Sequence, residues 1–480
     1  MAILSYMTNG IFWCITAFVT CTLFGSRSTG LGLGAVMMFG YIYGIMRANF
    51  LDGYSHFAFD CGLIGFYLAQ FSKSVSVESQ NRSYTAKNWL TFLIGWPLLL
   101  YIVPVNHYLV QLVALRHIVF FLPVLLLATR IRTAELNKLA YWLGILNIGA
   151  FVMAVIQYII GIEPFFPRSQ VTVIMYRSHD VTTSEGQFFR IPATFTSAHA
   201  FGGTMLMTLP LFLNMMSDRS RSANTRLFAV IVSILTILSI FIAGPRQPVA
   251  MMFGFAIMLL ILPGLKSSTK SSLAIGLVII GLVCAYYVAS DARMQRFMTL
   301  KDTEMVERRA AGSLHFSLIE CFWTYPIGVG LGGVFGSSMP FFLKDLMPDQ
   351  IGAENEYLRI AAEQGLIGFV IWISLIVRLI LKRPKPLTRN WSVGTHAMRA
   401  MIIVTWGTAF LGVGLLQSIP STVLLLLQMG ILLRDIPEKR REKSTDAEKP
   451  KELSGASLER LPEPVQVPQL SSFPSTVSGQ

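Results

Sequence analysis

Long unbroken apolar runs alternate along this chain with short loops that hold most of its charge. Runs of this length match the roughly 20 residues that a helix needs to cross a bilayer. Within each run the apolar residues are continuous and do not alternate with polar ones. The spanning elements are therefore helices, whose backbone groups are satisfied inside the segment, and not strands of a barrel. The pattern predicts spans near 4–24, 31–47, 55–72, 88–104, 107–128, 137–161, 197–217, 226–243, 247–264, 271–289, 354–381, 397–415 and 419–433. That makes thirteen, and the hairpin at Pro104 and the weak final run keep the expectation at 12 to 14. The first run lacks a basic flank and a clear cleavage site, so it reads as a retained span and not as a signal peptide.

Composition agrees with this class. Hydrophobic residues make up 53% of the 480 positions and charged residues 14%, where a soluble domain carries roughly 25% charged. A net charge of +13 could suggest nucleic acid, but the Lys and Arg residues sit in short loops and form no long basic face. Loops near 130–138, 218–226, 266–270 and 378–389 hold thirteen Lys/Arg against two acids, Glu135 and Asp218. The long loops 162–196 and 290–353 hold nine Lys/Arg against ten acids. The positive-inside rule puts the first set in the cytoplasm and the long loops outside. Arg27 after the first span then places the N-terminus outside. From Arg434 to Gln480 the chain turns polar and Pro-rich, with eight basic and eight acidic residues, and reads as a disordered cytoplasmic tail. The expected divisions are N-terminal spans 1–136, a core 137–433 and the tail 434–480. The five Cys show no disulfide or zinc spacing, and no metal or cofactor site is expected.

Candidate chemistry gathers at the outer face, around the polar excursion from Asp291 to Gly368. Arg190 lies just before a span, in Phe189-Arg190-Ile191-Pro192-Ala193-Thr194-Phe195. Arg246 lies in the tight turn Gly244-Pro245-Arg246-Gln247. Glu354, Asn355, Glu356, Tyr357 and Arg359 open the span after the long loop. An Arg fork at such a depth suits an oxyanion, and a nearby carboxylate could act as a base toward a hydroxyl. Each feature also has a plainer explanation. Arg246 could snorkel to headgroups, Arg190 could pair with Glu185 or Asp180, and acids in a first helical turn favour the macrodipole. Arg359 and Glu363 are spaced for an intrahelical pair, and His199 and His315 read as packing residues. Gly328-Val329-Gly330-Leu331-Gly332-Gly333 follows no strand and reads as a turn of close backbone approach.

At these same residues the chain resembles the O-antigen ligase and O-antigen/exopolysaccharide polymerase family of bacterial inner-membrane proteins. Arg190-Ile191-Pro192-Ala193-Thr194-Phe195 is similar to its Arg-x-x-Gly-Thr-Phe, and Pro245-Arg246 stands in place of its Ser-Arg turn. Pro326-Ile327-Gly328-Val329-Gly330-Leu331-Gly332 resembles its Pro-x-x-Gly-x-Gly-x-Gly. Glu354-Asn355-Glu356-Tyr357-Leu358, followed by Glu363-Gln364-Gly365 and Gly368, resembles its His-Asn-x-Tyr-Leu…Glu-x-Gly-x-x-Gly. The resemblance covers roughly residues 140–433, and its specificity lies in order, spacing and sidedness together.

That resemblance implies a GT-C-like helical architecture and a metal-independent, inverting glycosyltransferase needing no cofactor. The implied donor is an undecaprenyl-pyrophosphate-linked oligosaccharide, and the acceptor a glycan or lipid A-core hydroxyl at the periplasmic face. Arg190 and Arg246 would hold the pyrophosphate. Asn355, Tyr357 and Arg359 would line the substrate site, and Gly328, Gly330, Gly332 and Gly365 would shape it. Chain-length-regulator and flippase partners are implied, and no nucleic acid. Glu354 falls where the family has its acceptor-activating His. A carboxylate with its ordinary pKa of about 4.3 would need burial to act near neutrality, and two arginines would oppose that shift. The missing His favours a polysaccharide polymerase over a ligase. A lipid-linked glycan transporter is the expectation from another class, to be recognised by broken helices or ionisable residues near the bilayer midplane.

Overall fold

Most of the apolar runs become helices whose starts are set by capping side chains. α1 (Gly10–Arg27) opens on Asn9, whose side chain accepts the Ile11 N–H at 2.9 Å, and α2 (Thr29–Asn49) follows at once. A 3₁₀ turn at Gly53–Phe57 leads into α3 (Ala58–Phe71). α4 (Val77–Ile102) is capped by Ser76. α5 (Tyr108–Val119) and α6 (Pro123–Arg130) are one apolar run interrupted before Pro123, which has no N–H to continue the ladder and takes the first turn of α6. α7 (Thr133–Ile160) precedes a loop that holds the short α8 (Val173–Arg177) and the hairpin β1 (His179–Thr183) and β2 (Gly186–Phe189). α9 (Ala198–Ser217) and α10 (Ala223–Ala243) are capped by Ser197 and Ser222, and α11 (Arg246–Ile261) follows a two-residue turn. α12 (Leu318–Thr324), a two-residue parallel ladder of β3 (Val334–Phe335) on β4 (Ile351–Gly352), α13 (Glu356–Leu381), α14 (Ser392–Gly407) and α15 (Ser421–Leu433) complete the order.

This computed structural model describes residues 9–49, 53–103, 105–177, 179–183, 186–262, 318–335, 341–347, 351–352, 355–382, 386–412 and 414–435, with a few single positions between 267 and 286. Every expected span except 271–289 coincides with a helix. Most of that span, residues 287–317 of the second long loop, the candidate base Glu354 and the tail beyond Asp435 lie outside the described residues, and the positions of the span that are described are helical. Among the described residues, seven helices are long and apolar enough to cross a membrane. The others fall short for visible reasons. α3, α11, α14 and α15 have 13 to 16 residues, and α4 begins with a polar stretch from Glu78 to Lys87.

Among the described residues the protein is a helical, membrane-embedded bundle with two short strand pairs, and burial shows how the bundle is layered. All of α15 and nearly all of α9 are enclosed. Exposed apolar stripes at helical spacing run down the outer elements, for example Ile11, Ile15, Val19 and Leu23 on α1 and Leu227, Ile231 and Ile234 on α10. Such stripes would be a liability in water and are a lipid-facing surface here. Helices approach closely where glycine removes the side chain. A Cβ on Gly430 of α15 would lie 2.3 Å from the Leu125 carbonyl oxygen of α6. Inside the bundle one polar knot ties four helices. The Tyr41 hydroxyl donates to Asn147 Oδ1 at 2.5 Å, and Asn147 Nδ2 donates to Thr208 and Thr236 at 2.9 and 2.8 Å. Without water to compete, such a knot fixes which faces meet.

Candidate active site at one end of the bundle

The segment that carries Arg190 is threaded into the bundle by its own backbone. The Ile191 N–H donates to the Ala243 carbonyl at 3.3 Å, and the Ile45 N–H donates to the Thr194 carbonyl at 3.2 Å. Gln157 Nε2 donates to the Ala193 carbonyl at 2.7 Å. Ile191, Ala193 and Phe195 are buried, and Gly44 of α2 lies so close that an added Cβ would meet the Phe195 backbone. The path turns at Ala193, whose φ of +51° is in the left-handed region. That conformation costs an L-residue roughly 1–2 kcal/mol, and the resembling motif has Gly at this position. Ala193→Gly should therefore be neutral or stabilise the fold by at most about 1 kcal/mol, because glycine's own entropy offsets part of the relief. Ala193→Val should lower the melting temperature in detergent.

Arg190 thus stands beside the end of α10, and Arg246 begins the next helix three residues beyond Ala243. Gly244, at φ +97°, makes the reversal, and Pro245 fixes the entry into α11. Both arginines are half-buried. Burial lowers the Arg190 guanidinium from its ordinary pKa, the direction desolvation imposes on any cation. The first turn of α11 meets a third segment, because a Cβ on Gly412 would lie 2.9 Å from Gln247 Oε1. Two residues further, the Gly414 and Leu415 N–H groups donate to Glu356 Oε2 at 2.8 and 3.2 Å. A continuous set of contacts therefore runs from Arg190 through Ala243 and Gln247 to the start of α13.

At that start Asn355 caps the helix by accepting the Leu358 N–H at 2.7 Å. Arg359, 1% exposed, donates to Glu356 at 2.5 Å and to Glu363 at 2.6 Å. The intrahelical Arg359–Glu363 pair expected from spacing is present, and Glu356 adds a second carboxylate. With both arms of its fork held by carboxylates, Arg359 contributes architecture at this end. The Tyr357 hydroxyl donates to the Trp406 carbonyl at 2.6 Å, and its ring packs on Phe410. Tyr357 therefore locks α13 to α14.

The glycines of the second motif sit where the backbone needs them. Gly328, Gly330 and Gly332 have φ of +95°, +86° and +80°, and Gly365 interrupts α13 at φ +67°. The loop fills that interruption. The Val329 N–H donates to the Ala362 carbonyl at 2.7 Å, and the Leu366 N–H donates to the Pro326 carbonyl at 3.0 Å. Asn106 Nδ2 holds the other side of the loop through the Val329 and Leu331 carbonyls at 3.2 and 3.1 Å.

Sequence reasoning missed a second charged group in the same layer. Asp60 on α3 pairs with Arg116 on α5, and Arg116 Nη1 lies 2.9 Å from His117 Nε2. Arg47 and Arg359 both stand within electrostatic reach of His117. The available signal was ionisable residues inside apolar runs, which are rare unless they have a purpose.

Fold and site together define a polytopic helical membrane protein with a layer of arginines and carboxylates gathered toward one end of the bundle. No family model matches the chain, and no curated protein matches it either.

Proposed function

We propose that this chain is a membrane glycosyltransferase of the O-antigen ligase and polymerase type, with a GT-C-like helical architecture. In this reading it moves glycan from an undecaprenyl-pyrophosphate carrier to an acceptor sugar hydroxyl on the outer side of the inner membrane. A polysaccharide polymerase is preferred, with lipid A-core ligation as the alternative acceptor chemistry. What supports it is the Ile191–Ala243 backbone hydrogen bond of 3.3 Å, which joins the segment carrying Arg190 to the turn that leads to Arg246. Two half-buried arginines on adjoining segments would suit the two phosphates of a carrier headgroup. Their charge would stabilise the departing pyrophosphate, and a carboxylate at Glu354 would take the acceptor proton. The glycines would set the floor by holding the loop against α13, and chain-length regulators and flippases are the partners this role implies.

Removing one preorganised donor to a developing oxyanion costs about 10²–10³ in rate. Arg190→Ala and Arg246→Ala should each lower transfer from a lipid-linked oligosaccharide by about a hundredfold while leaving the melting temperature unchanged. Arg246→Lys should recover only part, because a point charge lacks the fork. Retained full transfer in both alanine variants would sink the assignment.

The transporter reading has observations of its own, namely the break in α13 at Gly365 and the ion pair inside α3 and α5. Deleting the gene separates the readings. Polymer lost with single repeat units left on the carrier outside marks a polymerase, and polymer made but never joined to a lipid core marks a ligase. Lipid-linked units trapped on the cytoplasmic side mark a transporter.

A further inference from the structure

The end of the bundle opposite Arg190 carries a cleft that the transfer chemistry does not use. It measures about 270 Å³ and lies between α7 and the start of α10, lined by Asn137, Lys138, Tyr141, Trp142, Arg221 and Thr225. That is close to the lower bound of ~300 Å³ for small-molecule sites. The two helices fix its depth. Twenty residues of α7 separate Asn137 from Gln157, which holds the Arg190 segment through the Ala193 carbonyl. At 1.5 Å per residue that is about 30 Å, the thickness of the hydrocarbon core. Likewise α10 runs from Thr225 at the cleft to Ala243, whose carbonyl accepts from Ile191. The cleft therefore opens at the other face of the membrane.

Its nitrogen groups are all donors. Asn137 Oδ1 accepts the Trp391 indole N–H at 3.1 Å, which leaves the Asn137 amide nitrogen for a ligand. Arg221 pairs with Asp218 through Nε at 3.2 Å, and among the described residues its two Nη groups have no protein partner. Lys138 is exposed and unpaired among the described residues, and the Thr225 hydroxyl is already joined to Ser222 at 2.9 Å. No carboxylate lines the cleft. The loops that flank it, 130–138 and 218–226, hold six Lys/Arg and two acids. Both acids are engaged, Glu135 by the Arg132 N–H at 3.0 Å and Asp218 by Ser220 and Arg221. Donors in a surplus of positive charge suit a ligand that offers acceptors and negative charge, and a phosphate does both.

The apolar rim distinguishes one phosphate from another. Trp142 starts an exposed stripe that continues through Ile145 and Val152 of α7. Leu227, two residues past Thr225, starts a second through Ile231 and Ile234 of α10. Both lead from the cleft toward the middle of the membrane, where they give acyl chains a surface that a free phosphate would not use. Exposed Tyr and Trp side chains, as at Tyr141 and Trp142, belong at the headgroup level.

We propose that this cleft binds the phosphate of an anionic phospholipid in the leaflet opposite the Arg190 site. Lys138, Arg221 and Asn137 donate to the phosphate oxygens, and the acyl chains lie along the α7 and α10 stripes. Trp391 is a positioning residue that holds Asn137 with its amide nitrogen available. The proposal does not depend on the glycan-transfer reading.

The test uses the full chain in a neutral detergent. Dioleoylphosphatidylglycerol and dioleoylphosphatidylcholine are titrated in turn and bound lipid is counted by native mass spectrometry, and inorganic phosphate is then added as a competitor. The first phosphatidylglycerol should bind about tenfold more tightly than the first phosphatidylcholine, the size of one hydrogen bond to a charged group. Lys138→Gln should remove most of that preference. Arg219→Gln, an exposed cation of the same face that does not line the cleft, should leave it within about twofold, since an exposed charge contributes little. Arg221→Gln should also weaken the lipid. If it melts early because Asp218 has lost its partner, Lys138→Gln decides, because that side chain supports no contact in the fold. Millimolar inorganic phosphate should not displace the lipid. No preference for the anionic lipid, an equal loss in Lys138→Gln and Arg219→Gln, or displacement by inorganic phosphate would overturn the proposal. None of these readouts is transfer activity, so failure of the glycosyltransferase reading leaves the result standing.

Discussion

Arg359→Met should be the most damaging single substitution in the described part of the chain. The residue is 1% exposed and stands between Glu356 and Glu363, themselves 0% and 1% exposed. Removing the cation leaves two buried carboxylates without the charge that pairs with both. Stranding a buried charge in this way costs about 3–5 kcal/mol. Glu356 would keep the Gly414 and Leu415 amides, which softens its half of the loss. The expected outcome is little monodisperse protein after detergent extraction and a melting temperature lowered by many degrees. Arg359→Lys keeps the charge but cannot reach both carboxylates with one fork, and should fall between the two. Replacing the whole triad by Glu356→Gln, Arg359→Met and Glu363→Gln should restore much of the stability lost in Arg359→Met alone, because no charge is then stranded. If the single substitution melts like wild type, the triad is not a structural clamp and Arg359 becomes available as a ligand-binding cation.

That experiment also bears on how much the sequence revealed. The helices were legible because lipid requires long apolar runs, but their starts were less so: the run expected from 88 belongs to a helix that begins at Val77 behind the Ser76 cap, because apolar content marks the span and not the polar turns that extend it. The turn at Arg246 was legible, since Gly244 and Pro245 leave few other backbone paths. Arg359 was half legible. The i,i+4 spacing to Glu363 pointed to a pair, but spacing alone does not show that Glu356 turns inward as well. Its inward turn is set by the amides of Gly414 and Leu415, which are remote in sequence. The Asp60–Arg116–His117 group was written in plain view inside apolar runs. Its pairing was not legible, because Asp60 and Arg116 are 56 residues apart and no local spacing joins them.

Gly365 shows the limit most clearly, and its substitution is the second large effect. From Glu356 to Leu381 the sequence reads as one helix, and nothing local in Gln364-Gly365-Leu366 demands a break. The break is imposed by the loop at 326–329, whose Val329 N–H and Pro326 carbonyl take the places of helical partners at 2.7 and 3.0 Å. Gly365→Ala would put a Cβ 2.4 Å from the Ile327 carbonyl carbon and 2.7 Å from the Pro326 carbonyl oxygen. These are backbone atoms, which cannot swing aside as a side chain can. The left-handed φ adds roughly 1–2 kcal/mol and the overpacking about 1–3 kcal/mol, so a loss of about 2–5 kcal/mol is expected. The loop should yield before the helix does, because α13 is held by Tyr357, Trp96 and the ion triad. Gly365→Ala should therefore speed amide exchange at Val329 and Leu366 while leaving exchange across α9 unchanged. Under the glycosyltransferase reading it should also abolish transfer with Arg190 and Arg246 intact. Unchanged protection at Val329 would show that the loop and the break in α13 are not mechanically joined.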